Sequence, residues 1–282
     1  MGSVPKGNQA SKPTNVVYTK STYKTEESAA CLGNDKNGWF GEVGTQDLSA
    51  VANGPHGTQL KFEEMFKCDP SAKYHGYKSW DDFFTRQFQE SWRPVAAPDN
   101  DDLINNACES KTYRTAHNVK LRDRFWIKGQ PYSIQDMLAF DPLAEQFTGG
   151  TIYQAFLAAL SYHRWHSSVS GTIKKAYVVD GTYFSEPLWE GLGGPHTHKI
   201  DQLGICDAQG FITALAARAI IFIEADNPKI GLMAFIGVGV DEVSACEKGR
   251  PDWYVLFWWI FALFVIQKGG QCGWFPGAGS KV

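Results

Sequence analysis

Thr172-Ile173-Lys174-Lys175-Ala176-Tyr177-Val178-Val179, closed by Asp180-Gly181, is the stretch on which the reading of the fold turns. It is rich in β-branched and aromatic residues and ends on a turn dipeptide, which predicts a strand. Comparable short runs recur at residues 111–114, at 124–127 before Lys128-Gly129, at 211–224 before Asn227-Pro228, and at 231–240. Strands with turn signals at this spacing predict a β-sandwich or barrel-like body from about residue 95 onward. Helical interruptions are expected at residues 133–138 and 152–160.

Upstream the texture is helical. Residues 33–57 are rich in Gly and Asn but carry Trp39, Phe40, Val43 and Leu48, which predicts a loop with a short helix folded onto the domain. Residues 60–66 have helical spacing of apolar residues and stop before Asp69-Pro70. Ser79 is a good N-cap ahead of Asp81 and Asp82, and Trp80, Phe83, Phe84 and Phe88 fall at i, i+3, i+4, i+8, a stripe expected to pack into the core. The fold class expected is α+β, with N-terminal helices packed on a largely antiparallel β-sandwich/barrel-like body. Residues 1–30 are expected to be a disordered lead, 31–94 a helical region and 95–282 the β-rich domain.

Of the 282 residues 43% are hydrophobic and 20% charged, enough to bury a sizeable core. A net charge of −3 supplies no bulk basic field, so no nucleic-acid partner is expected. Ten Trp and eighteen Phe suit a broad β-type core. Six cysteines are scattered without a CxxC pair, as for unpaired thiols in a reducing compartment. The polar first 25 residues read as neither a signal peptide nor a membrane span, so a cytoplasmic location is expected. Residues 253–266 are fourteen unbroken apolar residues, short of the ~20 a spanning helix needs. They fit a buried strand pair, a re-entrant or surface anchor, or a segment foreign to the frame.

The first strand described is preceded by Ser161-Tyr162-His163-Arg164-Trp165-His166-Ser167-Ser168-Val169-Ser170-Gly171. On a strand, positions three apart face opposite sides, so a helical turn or bulge would be needed to bring His163 and His166 together. Imidazoles held between buried elements can supply a general base near neutral pH. A pair that merely satisfies backbone groups is the bland alternative.

The chain ends Gly277-Ala278-Gly279-Ser280-Lys281-Val282. Gly279 has no Cβ, so the Ser280 hydroxyl can reach the Gly279 carbonyl. Attack converts the peptide to an ester, and elimination then splits the chain into a glycine carboxylate and a dehydroalanine, which takes up water and releases ammonia to leave a pyruvoyl group where the serine stood. That carbonyl can condense with an amine and act as an electron sink for decarboxylation. The step needs a base near the hydroxyl, usually a histidine oriented by a carboxylate.

Phe83-Phe84-Thr85-Arg86, Arg93-Pro94, Lys128-Gly129-x-x-Tyr132-Ser133, Phe147-x-Gly149-Gly150, Tyr162-His163-Arg164-x-His166 with Gly171, and Gly279-Ser280 together resemble the phosphatidylserine decarboxylase family. Ala107-Cys108-Glu109-Ser110 and His163-Arg164-Trp165-His166-Ser167 look closest to the soluble branch that includes the tryptophan decarboxylases. The resemblance implies a decarboxylase whose cofactor is a pyruvoyl group made from Ser280 by self-cleavage after Gly279. Of the family's Asp-His-Ser triad, it implies that His166 matches the histidine and Ser280 the serine. His163 matches the histidine associated with handling substrate. Glu109 stands near the place of the family aspartate as candidate orienter. No metal is implied. The expected partner is a small amino acid or a phospholipid head group, membrane association is not indicated, and a homodimer is left open.

Ser161, Ser168 and Lys281 depart from the family pattern, and only Lys281 and Val282 follow Ser280, where the family continues for some tens of residues. A truncated, catalytically incompetent relative serving as a binding or regulatory module, or a gene-model fragment, is therefore the competing expectation. The family wording resumes at Lys268-Gly269-Gly270-Gln271, after the apolar run. His196-Thr197-His198 lacks companion ligands at a convincing spacing and reads as a loop. Gly237-Val238-Gly239-Val240 reads as a buried strand, and residues 99–102 as a solvated acidic linker.

Overall fold

The computed structural model describes residues 24–35, 38–90, 92–122, 126–127, 130–131, 133–158, 160–182, 213–239, 245–247, 254–256, 260–266 and 273–275. The helices are α1 (Glu42–Asn53), α2 (Phe62–Met65), α3 (Trp80–Phe84) and α4 (Ile134–Met137), joined by short 3-10 turns. The strands are β1 (Leu103–Asn105), β2 (Lys111–His117), β3 (Trp126–Ile127), β4 (Gln130–Pro131), β5 (Thr151–Leu157), β6 (Gly171–Val179), β7 (Arg218–Ala225), β8 (Leu232–Val238), β9 (Ala245–Glu247), β10 (Tyr254–Leu256), β11 (Ile260–Ile266) and β12 (Gly273–Phe275). This is a mixed helix-and-strand fold with helices early and strands later, as the sequence rhythm predicts.

Six strands form one antiparallel sheet in the order β2-β5-β11-β8-β7-β6. Among the described residues it does not close into a barrel, since β2 and β6 remain as its two edges. Alternation divides the side chains between two cores. Ala219, Ile221 and Ile223 of β7, with Met233 and Phe235 of β8, join the N-terminal aromatic cluster of Phe40, Phe62, Phe83 and Phe84. Ile220 and Phe222, with Ala234 and Ile236, face the opposite core under α4 and Phe147. Strands β5, β7 and β8 are thus covered on both faces, which explains why they read as continuous apolar runs, whereas the edge strands β2 and β6 are largely exposed.

On that ground one expectation changes, and for the apolar run the strand alternative is the one the structure selects. Residues 152–160, expected to be helical, lie largely in strand β5, with Ile152 in one core and Tyr153, Ala155 and Leu157 in the other. The apolar run ending at Ile266 supplies β11, a central strand paired with β5 on one side and β8 on the other. Among the described residues no helix is long and apolar enough to cross a membrane.

Local chemistry sets the remaining elements. The Ser79 hydroxyl accepts from the Asp82 N–H at 3.1 Å and starts α3, but the helix stops at Phe84, and Phe88 instead bridges to Phe66. Trp80, Phe83 and Phe84 are buried, as the stripe requires. At the end of α4 the carbonyls of Asp136 and Met137 are capped by the buried Arg218, each at 2.9 Å. Gly171 begins β6 where a Cβ would sit 2.3 Å from the Glu224 carbonyl oxygen of β7, so only glycine fits that approach. Gly149, at φ 81, takes the left-handed turn leading into β5. Gly237 and Val238 lie in β8, a buried strand. Asp102 accepts from Asn227 at 2.6 Å and pairs with Lys229 at 3.0 Å on the surface. The cysteines whose side chains are described, Cys31, Cys68 and Cys108, are free thiols.

Candidate active site

The family-like motifs that lie far apart in sequence form one contact surface. The segment after α3 runs against residues 160–166. Arg86, fully buried, donates through Nη2 to the carbonyls of Leu160 at 2.8 Å and Ser161 at 3.0 Å. Arg164 Nε returns a bond to the Thr85 carbonyl at 2.6 Å. Phe84 stacks on His163 with ring centres 4.0 Å apart, and Phe88 on Tyr162 at 3.9 Å. A charge among aromatic rings is costly to bury unless it satisfies several acceptors, and Arg86 does so. Replacing Arg86 with methionine leaves the two carbonyls unpaired and should cost on the order of 3 kcal/mol. Urea unfolding of the variant against the parent checks this, and a loss below about 1 kcal/mol would contradict the role.

Residues 161–166 contain no helical turn, and the two histidines are not brought together. Ser161, His163 and Trp165 are buried, and Trp165 stacks on Phe235 of β8 at 4.8 Å. Tyr162, Arg164 and His166 instead line a cleft of about 220 Å³, which opens beside a second of about 250 Å³ that they share. A tight turn pairing His163 with His166 was one expectation; the period-two alternation of an extended chain separates them.

Glu109 lines the same cleft as His166. Its carboxylate is ion-paired with Arg93. Burial pushes this carboxyl up, to about 7, against the pull of Arg93 and Arg86. Burial holds the His166 imidazole below its ordinary value, so it is neutral at pH 7, and its Nε2 is buried without a hydrogen-bond partner among the described residues. No bond joins the His166 ring nitrogen Nε2 to Glu109; the carboxylate is paired with Arg93.

Strand pairing positions His166. Its backbone N–H donates to the Ala107 carbonyl at 2.8 Å, and the Asn105 N–H donates to the Ser168 carbonyl at 2.9 Å. On its other edge β1 pairs in parallel with β12, Leu103 opposite Gly273 and Asn105 opposite Phe275. The chain at residues 103–107 therefore lies between the histidine segment and the last described strand. Gly279 and Ser280, like His196, His198 and most of residues 1–30, lie outside the described residues. No group of three or more potential metal ligands occurs among the described residues.

Sequence reasoning missed the parts played by Arg86, Arg93 and Arg164. The signal was available for Arg86, a lone guanidinium inside the aromatic stripe. Arg93 stands in a family-like piece, Arg93-Pro94, but that piece gives no sign of its partners, which come from separate segments.

A neutral buried imidazole and a carboxyl titrating near neutrality in one cleft make a site suited to moving protons. Residues 80–282 match the family model described as phosphatidylserine decarboxylase, and the chain belongs to that family, whose members are carboxy-lyases. Its relatives include the decarboxylase iboD of Amanita muscaria, 46% identical over 230 residues that cover 79% of this chain and 63% of that protein. The L-tryptophan decarboxylase of Psilocybe cyanescens is 42% identical over 219 residues, 76% of this chain and 48% of that protein. Phosphatidylserine decarboxylase proenzyme 3 of Schizosaccharomyces pombe is 23% identical over 227 residues, 79% of this chain and 20% of that protein. The chain thus spans less than two thirds of the length of each of these relatives.

Proposed function

We propose that the chain is a pyruvoyl-dependent decarboxylase that matures by cutting itself between Gly279 and Ser280, with His166 as the base. The observation that carries this reading is the β1–β12 pairing. Phe275 lies opposite Asn105, and the backbone of residues 166–168 is bonded to the other edge of the same segment. Two strand spacings amount to about 10 Å, and the five residues from Phe275 to Ser280 can span up to about 18 Å. Chain length alone therefore allows a residue five positions beyond Phe275 to approach His166.

The pyruvoyl group is implied by the family, and the described residues fit it. An unpartnered buried Nε2 suits a base that must accept a hydroxyl proton. Once formed, the group supplies an electron-withdrawing carbonyl for loss of carbon dioxide. His166 takes up the proton of Ser280 and holds it. Glu109, in its ionised form, supplies negative charge at the cleft that can stabilise the resulting imidazolium. His163, matched to substrate handling, is closed in behind Phe84, so we assign it to shaping the cleft wall beneath Tyr162 and Arg164.

Of the two substrate classes, phosphatidylserine and an aromatic amino acid such as tryptophan, the second is favoured by the clefts' walls. Phe88, Trp92, Tyr162 and Trp165 supply aromatic surface there, and the tryptophan decarboxylases are among the more similar relatives. Release of carbon dioxide from tryptophan against release from phosphatidylserine vesicles tests the choice, and turnover of the vesicles alone would reverse it. An uncleaved, inactive chain would favour a binding or regulatory relative instead.

The base must be neutral to act. Burial lowers the His166 pKa from the ordinary 6.5, so the neutral form persists to more acid pH. The acid limb of the self-cleavage rate should therefore have its midpoint below 6.5. Rates followed on gels across that range check this, and a midpoint above the ordinary value would contradict it.

A further inference from the structure

The end of α1 closes on the Glu109 ion pair through Arg93. Arg93 has a left-handed backbone, φ 61, immediately before Pro94, a conformation that persists only where surroundings impose it. All three nitrogens of its fork are engaged. Nε donates to His56 Nε2 at 2.8 Å, Nη2 to the Ala52 carbonyl, and Nη1 pairs with the Glu109 carboxylate. The guanidinium face lies 4.6 Å over the Phe88 ring, and its side chain is 2% exposed. Because arginine only donates, His56 must accept at Nε2 and so be the neutral tautomer with its proton on Nδ1. Trp92 backs the His56 ring at 5.5 Å. Ala52 and His56 both precede the family-matched span, which starts at residue 80.

We propose that Arg93 is a positioning residue that fixes the Glu109 carboxylate at the cleft, and that residues 52–56, ahead of the family-matched span, complete the site by clamping Arg93. This rests on the function proposed above only in taking Glu109 as part of the site. A guanidinium held at Nε and Nη2 has one direction left for Nη1, and that direction is the carboxylate. A lysine could not reproduce the three-way fork. The other charged or titratable groups around Glu109 among the described residues are Arg86, Arg164, His166, the Tyr162 phenol and the Cys108 thiol, which burial pushes up to about 12. Arg93 is the charged group among the described residues that contacts both Glu109 and His56.

The test uses the full chain with Ser280→Ala throughout, so that processing does not intervene. Glutamate carboxyls are labelled with carbon-13, the Glu109 signal is assigned with Glu109→Gln, and its titration midpoint is read by NMR. Arg93→Gln should raise that midpoint by about one to three pH units. His56→Phe, which keeps a ring but no acceptor, should move it the same way by less. His56→Gln, which restores an acceptor oxygen, should bring it back. A folded Arg93→Gln protein with an unmoved midpoint overturns the proposal. If Arg93→Gln does not fold, equal midpoints in His56→Phe and His56→Gln overturn it instead. Self-cleavage in the parent chain is scored separately; its absence removes the proposed maturation and leaves the midpoint shift to decide the clamp.

Discussion

An alanine at position 166 is expected to slow self-cleavage by about 10²–10⁴-fold, the range a positioned general base contributes. The hydroxyl of Ser280 is a poor nucleophile until its proton is taken. Among the described groups in the cleft, His166 combines neutrality at pH 7 with a buried, unoccupied Nε2. The loss should be visible as uncleaved chain on a denaturing gel while far-UV circular dichroism stays unchanged. His166→Gln separates shape from chemistry, since it fills the space but cannot hold the proton. Parent-like processing in either variant would remove His166 from the role assigned here.

The second large effect concerns the nucleophile itself. Ser280→Ala should abolish cleavage altogether, because no hydroxyl remains to attack the Gly279 carbonyl. Ser280→Cys offers a stronger nucleophile in the same place, and is expected to restore chain scission in part. The pair distinguishes a chemical requirement for the side chain from a requirement for a small residue in the turn. Scission of the Ser280→Ala chain at the same bond would mean an outside protease is responsible.

Several of these features can be read from residues alone, and their success or failure has physical causes. The Ser79 cap and the Trp80-Phe83-Phe84 stripe identify α3 because capping and helical period are local signals. Residues 172–179 identify β6 because a largely exposed edge strand keeps its β-branched and aromatic residues in a short run closed by a turn dipeptide. Residues 152–160 mislead because a strand buried on both faces gives an unbroken apolar run that periodicity cannot distinguish from a helix. Residues 260–266 present the same ambiguity more strongly, and the pairing with β5 and β8 is what resolves it. The site divides likewise. His166 and Glu109 sit in motifs, whereas the Arg93 clamp depends on Ala52, His56 and Glu109 meeting in space, and no local pattern encodes that meeting. The extended course of residues 161–166 was hidden by the run before it, which reads as helical; once the chain is extended, Tyr162, Arg164 and His166 share the cleft that Glu109 lines.

The most direct measurement is the intact mass of the purified chain, before and after treatment with a hydrazine. Self-processing predicts a main fragment ending at Gly279, a carbonyl-bearing peptide that gains the hydrazine mass, and neither product from the Ser280→Ala chain. A single species at the mass of all 282 residues, inert to hydrazine under conditions where the protein is folded, would contradict the account.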